Sequence, residues 1–333
     1  MCPSKPGLVD FLNHWEMDFI SLGEMSWKPI NFRSKVKLVY TIERLIYRFL
    51  SLGFDYPDSE LFLKVKKQIT SCTDKFDAVI SIAVPYAIHW GVASVWSKIP
   101  AKNVAPVWIA DCGDPFYGSE NDSFKLPFYW AWVEKWFMRK ADFIAVPTPT
   151  SHLGYFPEFH PKIKVISQGF KFEDYSFQVI TKKNTTPVFA YAGLLIPNKR
   201  DPRAFCEYLL STGKDFRFHI YTKNYTLLKR FNELAPDKFI LHSFMPRVEL
   251  LRKLKEEVDF VVNFENSGPR QTPSKLIDYI LIDKPILSVN SSELDFQTIN
   301  EFLEHDYGNA LNIPDRDQYK IENVTSKFLD LID

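Results

Sequence analysis

From residue 77 onward, short apolar runs alternate with longer segments in which apolar residues recur every three or four positions. The short runs read as strands at 77–83, 106–110, 143–146 and 164–167, then at 188–192, 216–221, 239–241, 258–262 and 286–289. The longer segments read as helices at 86–96, 126–140, 202–211, 225–234, 247–257 and about 321–332. A polar stretch at 181–186, after a turn-like 169–174, has the character of a linker. Strand–helix alternation on both sides of it predicts two α/β domains with mostly parallel sheets, spanning 1–180 and 181–333. The last helix has no pattern that fixes its packing partner, and a return onto the first domain is one option.

Upstream of residue 77 the pattern is thinner. Pro3, Ser4, Lys5, Pro6 and Gly7 are loop-like and lead into a short helix at 8–15, and 18–22 is the first strand candidate. A doubly wound domain places a strand before such a loop, so the first strand of this one is expected to be missing. The segment 31–52 predicts a helix in which Val36, Val39, Tyr40, Leu45, Ile46 and Phe49 are apolar and Arg33, Lys35, Lys37, Arg44 and Arg48 are cationic. Two readings fit: a solvated helix face, or a surface that touches anionic lipid.

The stretch 258–289 carries the densest chemistry. An apolar strand empties into a polar loop, 263–271, which runs into Thr272, Pro273, Ser274 and Lys275. Thr suits an N-cap and Pro the first helical position, so a helix starts here, with Leu276, Tyr279 and Ile280 on one face. Lys284 and Pro285 end it before the strand at 286–289. In a parallel unit of this kind the helix N-terminus, with its free N–H groups and positive dipole end, lies at the carboxyl edge of the sheet. Lys275 in the first turn opposes that dipole, which is explained if an anion binds beside it; the stretch reads as a phosphate site.

A second loop of the same kind comes after 188–192. Gly193 permits close backbone approach, and Lys199 and Arg200 can clamp a diphosphate, one as a point charge and the other as a fork. The alternative is a solvated basic pair ahead of a helix. Asp278, one turn after Lys275, suits the hydroxyl pair of a ribose or hexose, an ion pair with Lys275, or both. Glu265, Arg270 and Gln271, with Ser274, are further candidates for contact with a sugar donor. In the first half, Asp111 and Asp114 flank Cys112 and Gly113 after a strand. They read either as an acid/base or hydroxyl-binding pair or as ordinary turn residues.

Composition narrows the classes. A length of 333 residues favours two cores over one, and 46% hydrophobic with 25% charged residues is the balance of a soluble globular protein. Lys and Arg number 41 and Asp and Glu 41, and this zero net charge argues against nucleic acid as a partner. The 29 Phe and 15 Tyr are expected mainly in cores, and permit ring contacts with sugars. Cys2, Cys72, Cys112 and Cys206 show no ligand or redox spacing, nor do His89, His152, His160 and His242, so neither metal nor cofactor is expected. His242 is placed to border a nucleotide base. No secretory signal opens the chain and no apolar run approaches bilayer length, which predicts a cytoplasmic protein, peripheral at the inner face of a membrane if the basic helix touches lipid.

Over about 77–289 these residues resemble a GT-B glycosyltransferase and are similar to the large retaining group called family 4. Ile166, Ser167, Gln168, Gly169 and Phe170 with Asp174 resemble its segment closing the first domain. Tyr191, Ala192 and Gly193 with Lys199 resemble its diphosphate loop, and Phe244 to Leu250 with Val258 and Asp259 its next helix and strand. Pro273, Ser274, Lys275 and Leu276, through Asp278 and Tyr279 to Lys284, Pro285 and Ile286, resemble its P-S-K-L variant.

The resemblance implies two Rossmann-like doubly wound domains facing across a cleft, a nucleotide-diphosphate sugar bound by the second and an acceptor held by the first. It implies that Lys199 and Lys275 stabilise the leaving diphosphate without a metal and that Asp278 holds the donor ribose in place of a glutamate; with the acceptor on the first domain, Asp111 or Asp114 is the residue expected to contact it. Glycan or lipid-linked acceptors in surface polysaccharide synthesis are its usual setting. Leu194 stands where the family carries arginine. Two other roles fit the same pattern: a GT-B sugar-nucleotide epimerase, and a non-catalytic GT-B binding subunit.

Overall fold

In the computed structural model, which describes residues 12, 17–30, 32, 36–119, 124–175, 177, 184–243, 245–265, 275–313 and 315–333, strands fall on the runs richest in β-branched and aromatic residues. Of Lys275 and Ile277 the backbone alone is described. The chain divides into two compact units, Met1–Ile166 with Lys327–Asp333, and Ser167–Ser326.

The first unit holds α1 (Lys37–Phe54), α2 (Glu60–Ser71), β1 (Ala78–Ile82), α3 (Ala87–Val95), β2 (Val107–Asp111), α4 (Tyr129–Lys140), β3 (Phe143–Val146) and β4 (Ile163–Val165). Its four strands are parallel and lie in sequence order, β1-β2-β3-β4. Trp108 and Phe137 are fully buried at its centre, and Trp90 stacks on Trp130 with ring centroids 4.9 Å apart.

The expected strand at 18–22 is not one: the segment carries a single bridge residue at Ser21 and no other regular structure. Side chains of α2 hold the chain at its end and just beyond it. Glu60 accepts the backbone N–H groups of Ser26 at 2.9 Å and Trp27 at 2.6 Å, and the Lys64 ammonium donates to the carbonyls of Leu22 and Glu24. Helix α2 itself was not anticipated, although Leu61, Val65 and Ile69 recur at four-residue spacing and bury one face. The expected loop at 3–7 and helix at 8–15 lie outside the described residues, apart from Leu12.

Glu134 of α4 is buried, with Oε1 accepting the Tyr117 N–H at 3.2 Å and Oε2 without a partner among the described residues. Burial pushes its carboxyl up to about 7. Below about pH 4.5 both folded and unfolded chains carry it protonated; as pH rises towards 7 only the unfolded chain ionises, so stability falls. Above 7 the folded chain ionises too and the loss levels off. Between pH 5 and pH 8, urea midpoints are expected to show the wild type losing about 2 kcal/mol more than Glu134→Gln.

The second unit holds β5 (Val188–Ala192), α5 (Arg203–Ser211), β6 (Arg217–Tyr221), α6 (Lys229–Leu234), β7 (Phe239–His242), α7 (Arg247–Glu257), β8 (Phe260–Phe264), α8 (Lys275–Ile282), β9 (Ile286–Val289) and α9 (Phe296–Leu303); α10 (Ile321–Leu329) runs across the division. Helix α9 was not anticipated either; Asp295 caps it, accepting the Thr298 N–H at 3.0 Å. The five strands are all parallel in the order β7-β6-β5-β8-β9. Both faces are covered. One carries Phe189, Phe205, Phe218, Phe260 and Phe302, the other Ala190, Val261, Leu251, Leu254 and Tyr279. Burial on both faces is why these strands read as unbroken apolar runs.

Phe170, Phe172, Tyr175 and Phe177 pack against the second of these faces, so the unit begins at Ser167, ahead of the expected boundary after 180. Gly169 lets the chain pass close to α10: a Cβ there would lie 2.6 Å from the Ile321 side chain and 3.2 Å from its Cα.

Candidate functional site

The two sheets differ in where they can form a crevice. In the first, strand order tracks the chain without reversal among the described strands. In the second, β6 and β7 lie on one side of β5 while β8 and β9 lie on the other. Loops leaving β5 and β8 at their carboxyl ends diverge, and a crevice opens between them, as doubly wound sheets form their ligand sites. Tyr279 of α8 sits at this divergence. Its hydroxyl donates to the Val262 carbonyl at 3.0 Å and accepts the Ala192 N–H at 3.2 Å, so one side chain occupies the gap where the β5–β8 ladder stops.

After β5, Gly193 has φ 153°, a backbone that residues with a Cβ rarely adopt, and its N–H donates to the Tyr221 carbonyl at 2.9 Å. The Tyr191 hydroxyl donates to the Leu194 carbonyl at 2.8 Å and lies beside Arg200. A turn at 196–200 then projects Lys199, with the Lys199 N–H on the Ile196 carbonyl and the Ile196 N–H on the Arg200 carbonyl, each at 3.1 Å. Asp201 anchors the chain on both sides of itself. It accepts from the Asn198 N–H at 3.2 Å, the Arg203 N–H at 3.1 Å and the Arg203 guanidinium at 2.6 Å, and the arginine holds its carboxyl below the usual range. The Asp201 N–H reaches Ser291 Oγ at 3.2 Å, tying the β5 loop to the loop after β9.

Together these loops line an open recess of about 770 Å³. Asn198, Lys199 and Arg203 come from the β5 side, Glu265 from the end of β8, and Asn290 and Ser291 from the end of β9. Glu265 is positioned by its N–H on the Val289 carbonyl at 3.0 Å and by the Ser288 hydroxyl, which donates to Oε1 at 2.9 Å. Topology puts the N-terminus of α8 at the same edge, with Lys275 its first described residue. The recess has the size of a small-molecule site and offers two cations, carboxylates and side-chain amide and hydroxyl groups.

Lys199 and Glu265 are thus brought together, whereas Arg200 turns to Tyr191. Asp278 pairs with Arg247 of α7, whose Nε is 2.8 Å from Oδ1. That guanidinium also donates to the Tyr175 hydroxyl at 2.6 Å and lies 5.2 Å from the Phe170 ring centroid. Any sugar hydroxyl on Asp278 would share it with this arginine. Arg270, Gln271 and Ser274 lie outside the described residues, as do Thr272 and Pro273.

Asp111 and Asp114 belong to the first unit. Asp111 ends β2, and burial pushes its carboxyl up to about 6, a range suited to proton exchange near neutrality. Asp114 is exposed, and its backbone carbonyl accepts the Tyr86 hydroxyl at 2.6 Å. His89 is a core residue, bonded through Nδ1 to Ser81 Oγ at 2.7 Å and kept neutral by burial. His242 stacks on Tyr221 and on His219, whose Nδ1 is 2.9 Å from its Nε2. Among the described residues no group of three or more His, Cys, Asp or Glu is placed to hold a metal.

The residues that sequence reasoning passed over are Asp201, Arg203, Asn290 and Ser291. A signal for the last two was present: they come directly after the strand at 286–289 and so lie at the carboxyl edge that carries Lys199 and Glu265.

No family model and no curated protein matches the sequence. Solved structures do. A glycosyltransferase from Rickettsia africae ESF-5 is 12% identical with TM-score 0.57, covering 99% of this chain and 88% of that chain. Anabaena Alr3699/HepE, in complex with UDP and glucose, is 11% identical with TM-score 0.56, covering 98% and 89%. The lipopolysaccharide outer core galactosyltransferase WaaB is 11% identical with TM-score 0.50, covering 95% and 84%. At these identities the likeness shows the fold: two Rossmann-like α/β units, as in GT-B glycosyltransferases.

Proposed function

We propose that the chain is a retaining glycosyltransferase that moves a sugar from a nucleoside-diphosphate donor to a glycan or lipid-linked acceptor in surface polysaccharide synthesis. The observation that carries the reading is the recess at the strand-order reversal, where Lys199 and Arg203 meet Glu265 and Asn290. Its resemblance in fold to glycosyltransferases, one of them solved with UDP and glucose, adds support.

In this reading Lys199 and the N-terminus of α8, with Lys275, face the diphosphate. As the bond from the anomeric carbon to the phosphate oxygen breaks, negative charge gathers on that oxygen, and fixed cations and N–H groups already in place stabilise it. Fixed positive charge of this kind takes the role a metal ion plays in other transferases. Arg203, tied to Asp201, supplies the charge that Leu194 does not. Glu265, oriented by Ser288, accepts from donor sugar hydroxyls, and Asp278 from the ribose beside Arg247. The acceptor hydroxyl bonds to the anomeric carbon on the face the diphosphate leaves, and its proton passes to the departing oxygen. Asp111 and Asp114 hold the acceptor.

Calorimetric titration with a panel of nucleoside diphosphates tests this, with and without EDTA. One diphosphate is expected to bind in both conditions and to bind about ten-fold or more weakly to Lys275→Ala. Binding of none would remove the reading and leave a non-catalytic binding role for the fold.

A further inference from the structure

Helix α1 is built inside out. It has 18 residues and none of them is buried. On a helical projection Leu38, Ile42, Leu45, Ile46 and Phe49 form one apolar stripe, and these side chains are 70%, 47%, 65%, 51% and 66% exposed. The opposite side carries Tyr40 and Tyr47, whose rings pack edge-on against Phe32 at 5.9 and 5.6 Å. A helix docked for its own stability would bury the stripe and expose the opposite face.

Two pairs of exposed aromatics lie on α1 and at the start of α4. Phe49 packs against Phe54 at 6.0 Å, and Phe128 against Trp132 at 5.4 Å. The end of α1 is fastened beside them: the Tyr129 hydroxyl donates to the Gly53 carbonyl and the Trp130 indole N–H to the Leu52 carbonyl. Arg48 lies over the exposed Phe124 ring, 5.0 Å from its centroid. Charge completes the pattern. Within the helix Lys37, Arg44 and Arg48 stand against the single carboxylate of Glu43; Lys37 and Arg44 are exposed and, with Arg48, project from one side, roughly 100° or more round from the middle of the stripe.

We propose that α1, together with the exposed rings of Phe54, Phe128 and Trp132, forms a membrane-docking face that lies in the headgroup layer of an anionic bilayer. No described helix is long and apolar enough to cross a membrane, and α1, about 27 Å long, is amphipathic, which suits a position along the surface. The stripe enters the acyl boundary, rings that are apolar in body settle at the interface, and the cations on the one side reach lipid phosphates with their long side chains. A second protein copy would bring its own cations against these, whereas anionic lipid neutralises them; that favours lipid as the occupant. The inference stands apart from the sugar-transfer reading, since neither the recess nor its residues enter it.

The test is sedimentation of the full chain with vesicles of phosphatidylcholine alone and of phosphatidylcholine mixed with phosphatidylglycerol. The wild type is expected to partition onto the mixed vesicles at least about ten-fold more strongly, and Leu45→Glu with Phe49→Glu to lose that binding while keeping its melting temperature, because both side chains are exposed. Lys37→Gln and Arg44→Gln are each expected to weaken the anionic preference about five-fold. Absence of binding to mixed vesicles, or equal binding by the double glutamate variant, overturns the proposal. So does a dimer in analytical ultracentrifugation that Leu45→Glu dissolves, which would assign the face to a second copy.

Discussion

Lys199→Ala is expected to lower kcat/KM for the sugar donor by about 100- to 1,000-fold, the effect of removing one preorganised group that stabilises charge developing in a transition state. The size comes from its place. Lys199 is carried on a turn closed by two backbone hydrogen bonds and lines the recess together with Arg203 and Glu265. Because Lys199 is exposed, the variant should unfold at the wild-type temperature. Steady-state kinetics with the donor found by titration, paired with a melting curve, gives the answer. A fall in stability that tracks the fall in activity would make the lysine part of the scaffold instead.

Phe189→Ala is expected to cost about 3–5 kcal/mol, read from urea denaturation. Phe189 is fully buried at the centre of the second sheet, stacked on Phe218 at 4.8 Å and Phe260 at 4.6 Å, with Phe216 at 5.8 Å. Rings from two neighbouring strands close on it from both sides, so no single side chain can swing in to fill the space, and the cavity persists. A loss under about 1 kcal/mol would mean that this aromatic stack repacks freely.

Much of the fold was legible because a parallel sheet covered on both faces writes its strands as continuous apolar runs. The strands at 143–146, 188–192 and 286–289 and the helix at 247–257 coincide with the structure at both ends. The failures have local causes. The segment at 18–22 has apolar residues, but its end and the residues after it, Leu22, Glu24, Ser26 and Trp27, are held by the side chains of Glu60 and Lys64, which apolar pattern does not reveal. Helix α2 buries a narrow stripe amid Lys64, Lys66 and Lys67, and α9 is only eight residues long.

The site was legible loop by loop and not as an assembly. Lys199 and Glu265 were visible as polar residues after strands, since chain alternation alone puts such loops at one edge of a sheet. Which loops become neighbours depends on strand order, and alternation leaves that open. Only the β7-β6-β5-β8-β9 order makes Asp201, Arg203 and Ser291 part of the same recess as Glu265. The Asp278–Arg247 pair joins helices α8 and α7 and leaves no trace in the spacing of either.

The bridging hydroxyl of Tyr279 has a further meaning. The Ala192 amide and the Val262 carbonyl, which a continuous ladder would pair between strands, are instead satisfied by a phenol held between them. The crevice is therefore a ground-state property of the second unit: no strand pair must be prised apart when a ligand arrives, and no polar backbone group is stranded when it leaves. The tyrosine works like a keystone that holds an arch open, and the helix that carries it is the one whose first turn begins at Lys275. The ends of β5 and β8 and the helix behind Lys275 are in this way tied together through a single residue.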